Sequence, residues 1–223
     1  MKIIDNLHLI PNIVASVYVI VDADGLTLID TGLPHSEKKI LDYVTSLGAS
    51  ARDLKRILLT HSDLDHVGSL AALKAATGAR TYSSRLEADA IAAGKSSRPP
   101  KPGFSVMKLM QASMRPFFKA TPFQVDEFLA DGQVLPVLGG LRVIETTGHA
   151  PGHISLFAPE AGVLFCGDSL NTDEQGIHGS RPAVTWDAAK AEESARKQAG
   201  LGARIVCPGH GPVVMDAAGK FSV

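Results

Sequence analysis

Four side chains able to hold a metal ion fall within six residues, in His61-Ser62-Asp63-Leu64-Asp65-His66. The apolar, β-prone run Arg56-Ile57-Leu58-Leu59-Thr60 before them predicts a buried strand. Val67-Gly68-Ser69 follows, then a helical stretch over 70–77. The cluster therefore sits where a strand gives way to a helix, in a turn that can fix side chains yet leave them open at a sheet edge. Taken alone, it fits a solvated acidic loop with two incidental histidines equally well.

Three later pieces tip the balance. His149 follows a predicted strand at 141–145 in Thr147-Gly148-His149. Asp168 follows one at 163–166 in Gly167-Asp168, and His210 follows one at 204–207 in Pro208-Gly209-His210-Gly211. Glycine beside each lets the backbone turn tightly or approach closely. Nitrogen and carboxylate donors at four strand ends point to one edge of a sheet system, where open α/β folds place their sites.

The elements that must position these residues are legible in outline. Residues 13–21, a turn at 22–25 and residues 26–29 predict a β-hairpin that ends at Asp30-Thr31-Gly32. Ser36 is placed to cap a helix running to Leu47, with Ile40, Leu41, Val44 and Leu47 on one face and Gly48 at its end. A helix over 69–77, a short strand at 81–82 and a helix over 85–93 follow. Residues 94–103 are rich in Ser, Pro and Lys and read as an irregular connection. The stretch 104–119 carries an apolar stripe that includes Met107, Met110 and Phe117. That stripe suits a core helix, an adaptable wall or lid over a substrate pocket, or a contact in a homodimer. Strands are expected at 123–125, 134–135, 141–145, 154–157 and 163–166, a helix over 186–198 and a last strand at 204–207. Strands in both halves with helices between them predict a layered α/β architecture.

Composition narrows the function classes. The 223 residues are 45% apolar and 20% charged, which suits a globular chain with a substantial core. A net charge of −1 with no basic block argues against nucleic acid as a partner. The apolar run 13–21 is too short to span a bilayer, and the N-terminus lacks a signal peptide's apolar core. No membrane is therefore expected, and since two cysteines make no disulfide framework, the cytoplasm is the default compartment.

The ordered set His61-Ser-Asp-Leu-Asp65-His66, Gly148-His149, Gly167-Asp168 and Gly209-His210 resembles the metallo-β-lactamase-fold hydrolase superfamily, over about residues 30–210. The resemblance implies one such domain over 1–223, with an irregular and helical insertion around 94–120. It also implies a four-layer αβ/βα sandwich of two mixed sheets flanked by helices. Carried over by position, His61, Asp63 and His149 would bind a first metal ion, and Asp65, His66 and His210 a second, with Asp168 bridging them. Two divalent ions are thus expected, zinc first. Asp63 stands where the family pattern has histidine. Its hard oxygen shifts preference toward iron or manganese, and the alternative has it off the metal.

Two cations roughly 3.5–4 Å apart can hold a bridging water and lower its pKa toward about 7. The resulting hydroxide would attack the carbonyl of a small-molecule ester, lactone or thioester, with Asp65 as the catalytic group that orients the water and moves its proton. Lactone or ester is placed ahead of a glutathione thioester, because no basic cluster follows His210 to clamp a carboxylate. Iron-dependent oxygen or sulfur chemistry on the same fold is the alternative, and a metal-binding protein that has lost catalysis is the third reading. Asp30 and His153 are expected behind the metal ligands, holding them by hydrogen bonds. His178 is either a substrate contact or a surface histidine. His8 and His35 read as structural or solvated, and Cys166 and Cys207 as small core residues.

Overall fold

The computed structural model describes residues 1–99 and 120–223. The stretch 104–119, and with it Met107, Met110 and Phe117, lies outside the described residues. Seven strands form the first sheet in chain order: β1 (Lys2–Ile4), β2 (Leu7–Leu9), β3 (Tyr18–Asp22), β4 (Gly25–Ile29), β5 (Leu54–Leu58), β6 (Arg80–Ser84) and β7 (Glu127–Leu129). The first four pair antiparallel, and β4 to β7 run parallel. Between these strands lie α1 (Glu37–Ser46), α2 (Leu64–Val67), α3 (Leu70–Thr77) and α4 (Arg85–Ala92).

The second sheet contains β8 (Val134–Leu135), β9 (Leu141–Glu145), β10 (Ile154–Ala158), β11 (Val163–Gly167), β14 (Ile205–Pro208) and β15 (Val214–Met215), in the order β15-β14-β11-β10-β9-β8. A third, small sheet joins β12 (Leu170–Asp173), β13 (Gly176–Gly179) and β16 (Phe221–Ser222), and α5 (Ala188–Ala199) packs beside it.

Period-two alternation along the buried strands feeds separate cores. Tyr18, Ile20, Ile29 and Leu58 face the second sheet and meet Val143, Leu156, Phe165 and Cys207. Their sequence neighbours Val19, Leu28, Ile57 and Leu59 turn the other way, onto Ile40, Val44, Leu70, Leu73 and Ile91 of the helices. Beyond the second sheet, Leu164, Cys166 and Val206 pack on Ala195 of α5 and on Leu170 and Ile177. Helices, sheet, sheet and helix therefore stack as four layers, as the sequence resemblance implies. With eight residues, α3 is too short to persist alone. Burying Leu70 and Leu73, at about 1.5–3 kcal/mol each, holds it in place. Among the described residues no helix is long and apolar enough to cross a membrane.

Several local expectations are corrected. The strand expected from residue 13 begins at Tyr18. Residues 13–17 leave the sheet, and Ser16 N–H donates instead to Gly209 O at 2.8 Å. Ser36 precedes α1 without capping it: its backbone is helical, and its N–H donates to Ser69 Oγ at 2.8 Å. The strand expected at 123–125 forms at 127–129, opposite Tyr82 to Ser84, because Phe123 and Val125 pack against the helix layer instead. Trp186 lies before α5 rather than inside it.

Parallel pairing decides where the site falls. β9 and β11 both run antiparallel to β10, and β14 runs parallel to β11, so the C-terminal ends of β9, β11 and β14 share one edge. Ile154 N–H donates to Thr60 O, and Tyr18 Oη to Pro208 O, tying the end of β5 and its sheet to that same edge.

Candidate metal centre

All seven expected ligands gather at this edge, from loops that are far apart in sequence. Their donor atoms fall into three overlapping groups: His61, Asp63 and His149; Asp65, His66 and His210; and His61, His66 and Asp168. Within each group the donors lie within 4.8 Å of one another. Asp168 stands between the first two groups. Its Oδ1 is 3.3 Å from His66 Nε2, and its Oδ2 is 3.7 Å from His149 Nε2 and 3.6 Å from His210 Nε2. Asp63 Oδ2 is 3.5 Å from His61 Nε2 and 3.3 Å from His149 Nε2. Asp65 Oδ2 is 3.2 Å from His210 Nε2.

The residues behind the ligands fix which ring nitrogen faces inward. Asp30, at the end of β4, accepts from Thr60 N–H at 2.9 Å, from Thr60 Oγ1 at 2.8 Å and from His66 Nδ1 at 2.8 Å. Thr60 Oγ1, its proton given to Asp30, accepts from His61 Nδ1 at 3.0 Å. Both rings thus spend Nδ1–H on the chain and turn Nε2 inward. His153 Nε2 accepts the backbone N–H of Asp168 at 3.1 Å, so its own proton sits on Nδ1, beside Thr146 Oγ1. His153 touches the Asp168 backbone rather than joining the donor groups. His149 Nδ1 lies 3.2 Å from Ser180 Oγ.

A cation fits what these side chains leave open. His61 Nε2, His66 Nε2 and Asp168 Oδ1 are buried without a hydrogen-bond partner among the described residues, although an orphaned buried polar atom carries a cost of about 1–3 kcal/mol. Imidazole nitrogens mixed with carboxylate oxygens suit zinc, iron or manganese. The charges agree. Burial pushes the Asp168 carboxyl up, but His66, His61 and His149 outweigh it and hold it well below the ordinary range. Burial pushes the His66 imidazolium down, yet Asp30 and Asp168 hold it well above its usual value. Burial and the neighbouring histidines push His153 well below, which suits a neutral ring.

Asp63 has partners that the motif does not announce. Arg98 grips it with two nitrogens, Nη2 on Oδ2 and Nε on Oδ1 at 3.3 Å, and Ser96 Oγ donates to Oδ1 at 2.6 Å. Burial pushes the Asp63 carboxyl up, but the His149 hydrogen bond and the neighbouring His61 and Arg98 charges hold it far below the usual range. Glu87, fully buried on α4, is a second unforeseen residue. Its Oε2 accepts from Ser62 N–H at 2.8 Å and Ser62 Oγ at 2.5 Å, and its Oε1 from Gly152 N–H at 2.8 Å and Ser97 Oγ at 2.7 Å. One carboxylate thereby ties together the loops carrying His61, His149 and Arg98. The Ser84-Arg85-Leu86-Glu87 pattern signals a capping box. Ser84 does accept from Glu87 N–H, but the Glu87 carboxylate reaches across to the neighbouring loops.

His178 stands apart. It lies on β13 and pairs with Asp173 at 2.9 Å, outside the three donor groups. His8 meets Tyr43, His35 is exposed, and both cysteines are buried.

Comparison with known proteins bears on this arrangement. A model of the metallo-beta-lactamase superfamily matches residues 11–210. The probable metallo-hydrolase YflN of Bacillus subtilis is 32% identical over 216 residues, covering 89% of this chain and 81% of that protein. A hydroxyacylglutathione hydrolase of Cereibacter sphaeroides is 31% identical over 161 residues, covering 70% of this chain but 48% of the hydrolase, so the chain spans about half its length. Among solved structures, a metallo-beta-lactamase family protein from Thermus thermophilus superposes with a TM-score of 0.73 at 25% identity. That match covers 98% of this chain and 78% of the other.

Proposed function

The chain belongs to the metallo-beta-lactamase superfamily, and from that premise we propose that it hydrolyses a small ester, lactone or thioester at a centre of two divalent metal ions. The observation that carries the reading is Asp168, set between two histidine and aspartate groups with bare, buried nitrogen and oxygen atoms on either side. His61, Asp63 and His149 would hold one ion, Asp65, His66 and His210 the other, and Asp168 would serve both. Zinc is the first choice, with iron or manganese admitted by the oxygen of Asp63. Such ions supply Lewis acidity and bring the pKa of a water between them toward about 7.

The chain's own groups do the rest. With one oxygen of Asp65 beside His210 in the donor group, its other oxygen would orient a water, accept its proton and pass it to the leaving alkoxide or thiolate. Burial pushes the Asp65 carboxyl up, but His210 and the neighbouring imidazole charges hold it down, so it is a carboxylate at neutral pH. A cavity of about 420 Å³ shares Ser180 with the site and is lined by Pro182, Thr185, Trp186, Ala191 and Ala195. Its apolar lining supports an acyl chain as the part of the substrate bound away from the scissile bond.

Metal analysis of the chain purified without added metal, paired with a panel of lactones, esters and thioesters, tests the reading. Two equivalents of zinc or manganese with turnover on the panel are expected. Iron with oxygen-consuming turnover would replace hydrolysis by redox chemistry. Full metal content with no turnover on any panel member would overturn the hydrolase reading.

A further inference from the structure

Two sets of groups meet the Asp63 carboxylate. Oδ2 faces His61 Nε2 and His149 Nε2, the donors that share its metal group. The same carboxylate receives the Arg98 fork, with Nη2 on Oδ2 and Nε on Oδ1, and the Ser96 hydroxyl on Oδ1. Arg98 is itself held. Its Nη1 donates to Val184 O, and its backbone N–H donates to Ser96 Oγ at 3.2 Å. Its side chain is 23% exposed and that of Asp63 is 10% exposed, so the pair is shielded from most of the screening that makes surface ion pairs weak.

Two physical consequences follow. A carboxylate ligand brings one negative charge more than an imidazole, which would draw down the positive charge available to polarise a substrate carbonyl. A guanidinium on the same carboxylate offsets that charge. A carboxylate can also rotate off a metal, whereas the planar two-point fork fixes its plane, with Oδ2 beside His61 and His149.

We propose that Arg98 is a positioning residue for the metal centre, holding and charge-balancing Asp63 so that an aspartate can serve as ligand at this position. The proposal rests on the metal-centre reading above. It assigns Arg98 to the metal side of the site rather than to substrate, because its three donor nitrogens are already engaged by the protein.

Zinc titration of the full chain against a chromophoric chelator, with far-UV circular dichroism to confirm folding, tests this. Arg98→Gln is expected to weaken one of two zinc sites by about 10–100-fold, the usual cost of losing a group that holds a ligand. Arg98→Lys keeps the charge without the fork and should fall between Gln and Arg. In Asp63→His/Arg98→Gln no carboxylate needs holding, and affinity at that site should return to the wild-type level.

Unchanged affinity in Arg98→Gln overturns the proposal. Tighter binding also overturns it, since the guanidinium would then compete with the ion. A double variant no better than Arg98→Gln alone would assign Arg98 to the loop in general and not to Asp63. A wild-type chain that takes up no divalent ion removes the metal centre itself, whereas two bound ions with unchanged Arg98→Gln affinity remove only the role of Arg98.

Discussion

Asp30 Oδ2 lies 2.8 Å from His66 Nδ1, and the same ring turns a bare Nε2 toward Asp168. Asp30 reaches this position with φ at 60°, a left-handed backbone that aspartate tolerates better than most side chains. Strain of this kind persists where surrounding bonds over-determine it, here the two bonds from Thr60 and the one from His66.

Asp30→Asn places an amide N–H among three donors where a carboxylate accepted all of them. The ion held by His66 should bind about 10–100-fold more weakly, while the far-UV circular dichroism stays native. Chelator competition reads this out, and unchanged affinity would show that Asp30 does not hold His66 for a metal.

Gly209→Ala tests the crowding around Asp168. A Cβ there would sit 2.3 Å from Asp168 Oδ1 and 2.8 Å from His66 Cε1. Neither neighbour can retreat without leaving the centre. A loss of about 1–3 kcal/mol in stability, the usual cost of overpacking, should accompany loss of bound metal. Urea denaturation and metal analysis on the same sample check both, and a variant with full metal content would contradict the placement.

Glu87→Gln swaps an acceptor for a donor at a carboxylate that receives four donors. At least one buried donor then goes unmet, at a cost of about 1–3 kcal/mol. Because Glu87 joins three loops of the site, metal release should become easier in the same variant. A melting temperature and zinc affinity equal to those of the wild type would remove Glu87 from this role.

Cys166 and Cys207 supply the pH-dependent prediction. Burial pushes both thiols well above their ordinary value of 9.0, so the native state keeps its protons where the unfolded chain sheds them. Their contribution to stability is complete below the unfolded value and declines as pH rises above it, toward the elevated native values. Folded protein should resist iodoacetamide at pH 8 and react fully once denatured. Rapid alkylation of the native chain would contradict their burial.

Much of the candidate centre was legible because its residues advertise themselves. His61 to His66 are contiguous, and His149, Asp168 and His210 each follow an apolar run and sit beside a glycine. The four layers followed from the strand and helix pattern read together with the family resemblance. Arg98, Ser96 and Glu87 carried no such signal. Arg98 lies in a Ser, Pro and Lys-rich stretch that reads as an irregular connection, and its partner Asp63 is 35 residues away. Glu87 looks like a helix-capping carboxylate until the fold brings Ser62 and Gly152 to it. The strands β1, β2, β12, β13 and β16, of two to four residues each, are too short to show a period of two.

Each sheet brings an incomplete set of donors to the shared edge. His61, Asp63, Asp65 and His66 follow the interior strand β5 of the first sheet, and His149, Asp168 and His210 follow β9, β11 and β14 of the second. An ion gripped there acts as a rivet through the sandwich, and the chain must stack its two halves before it can load one. Stripping the ions should therefore loosen the seam between the halves first, and amide exchange at Ile154, whose N–H donates to Thr60 O across it, should quicken before that of strand interiors.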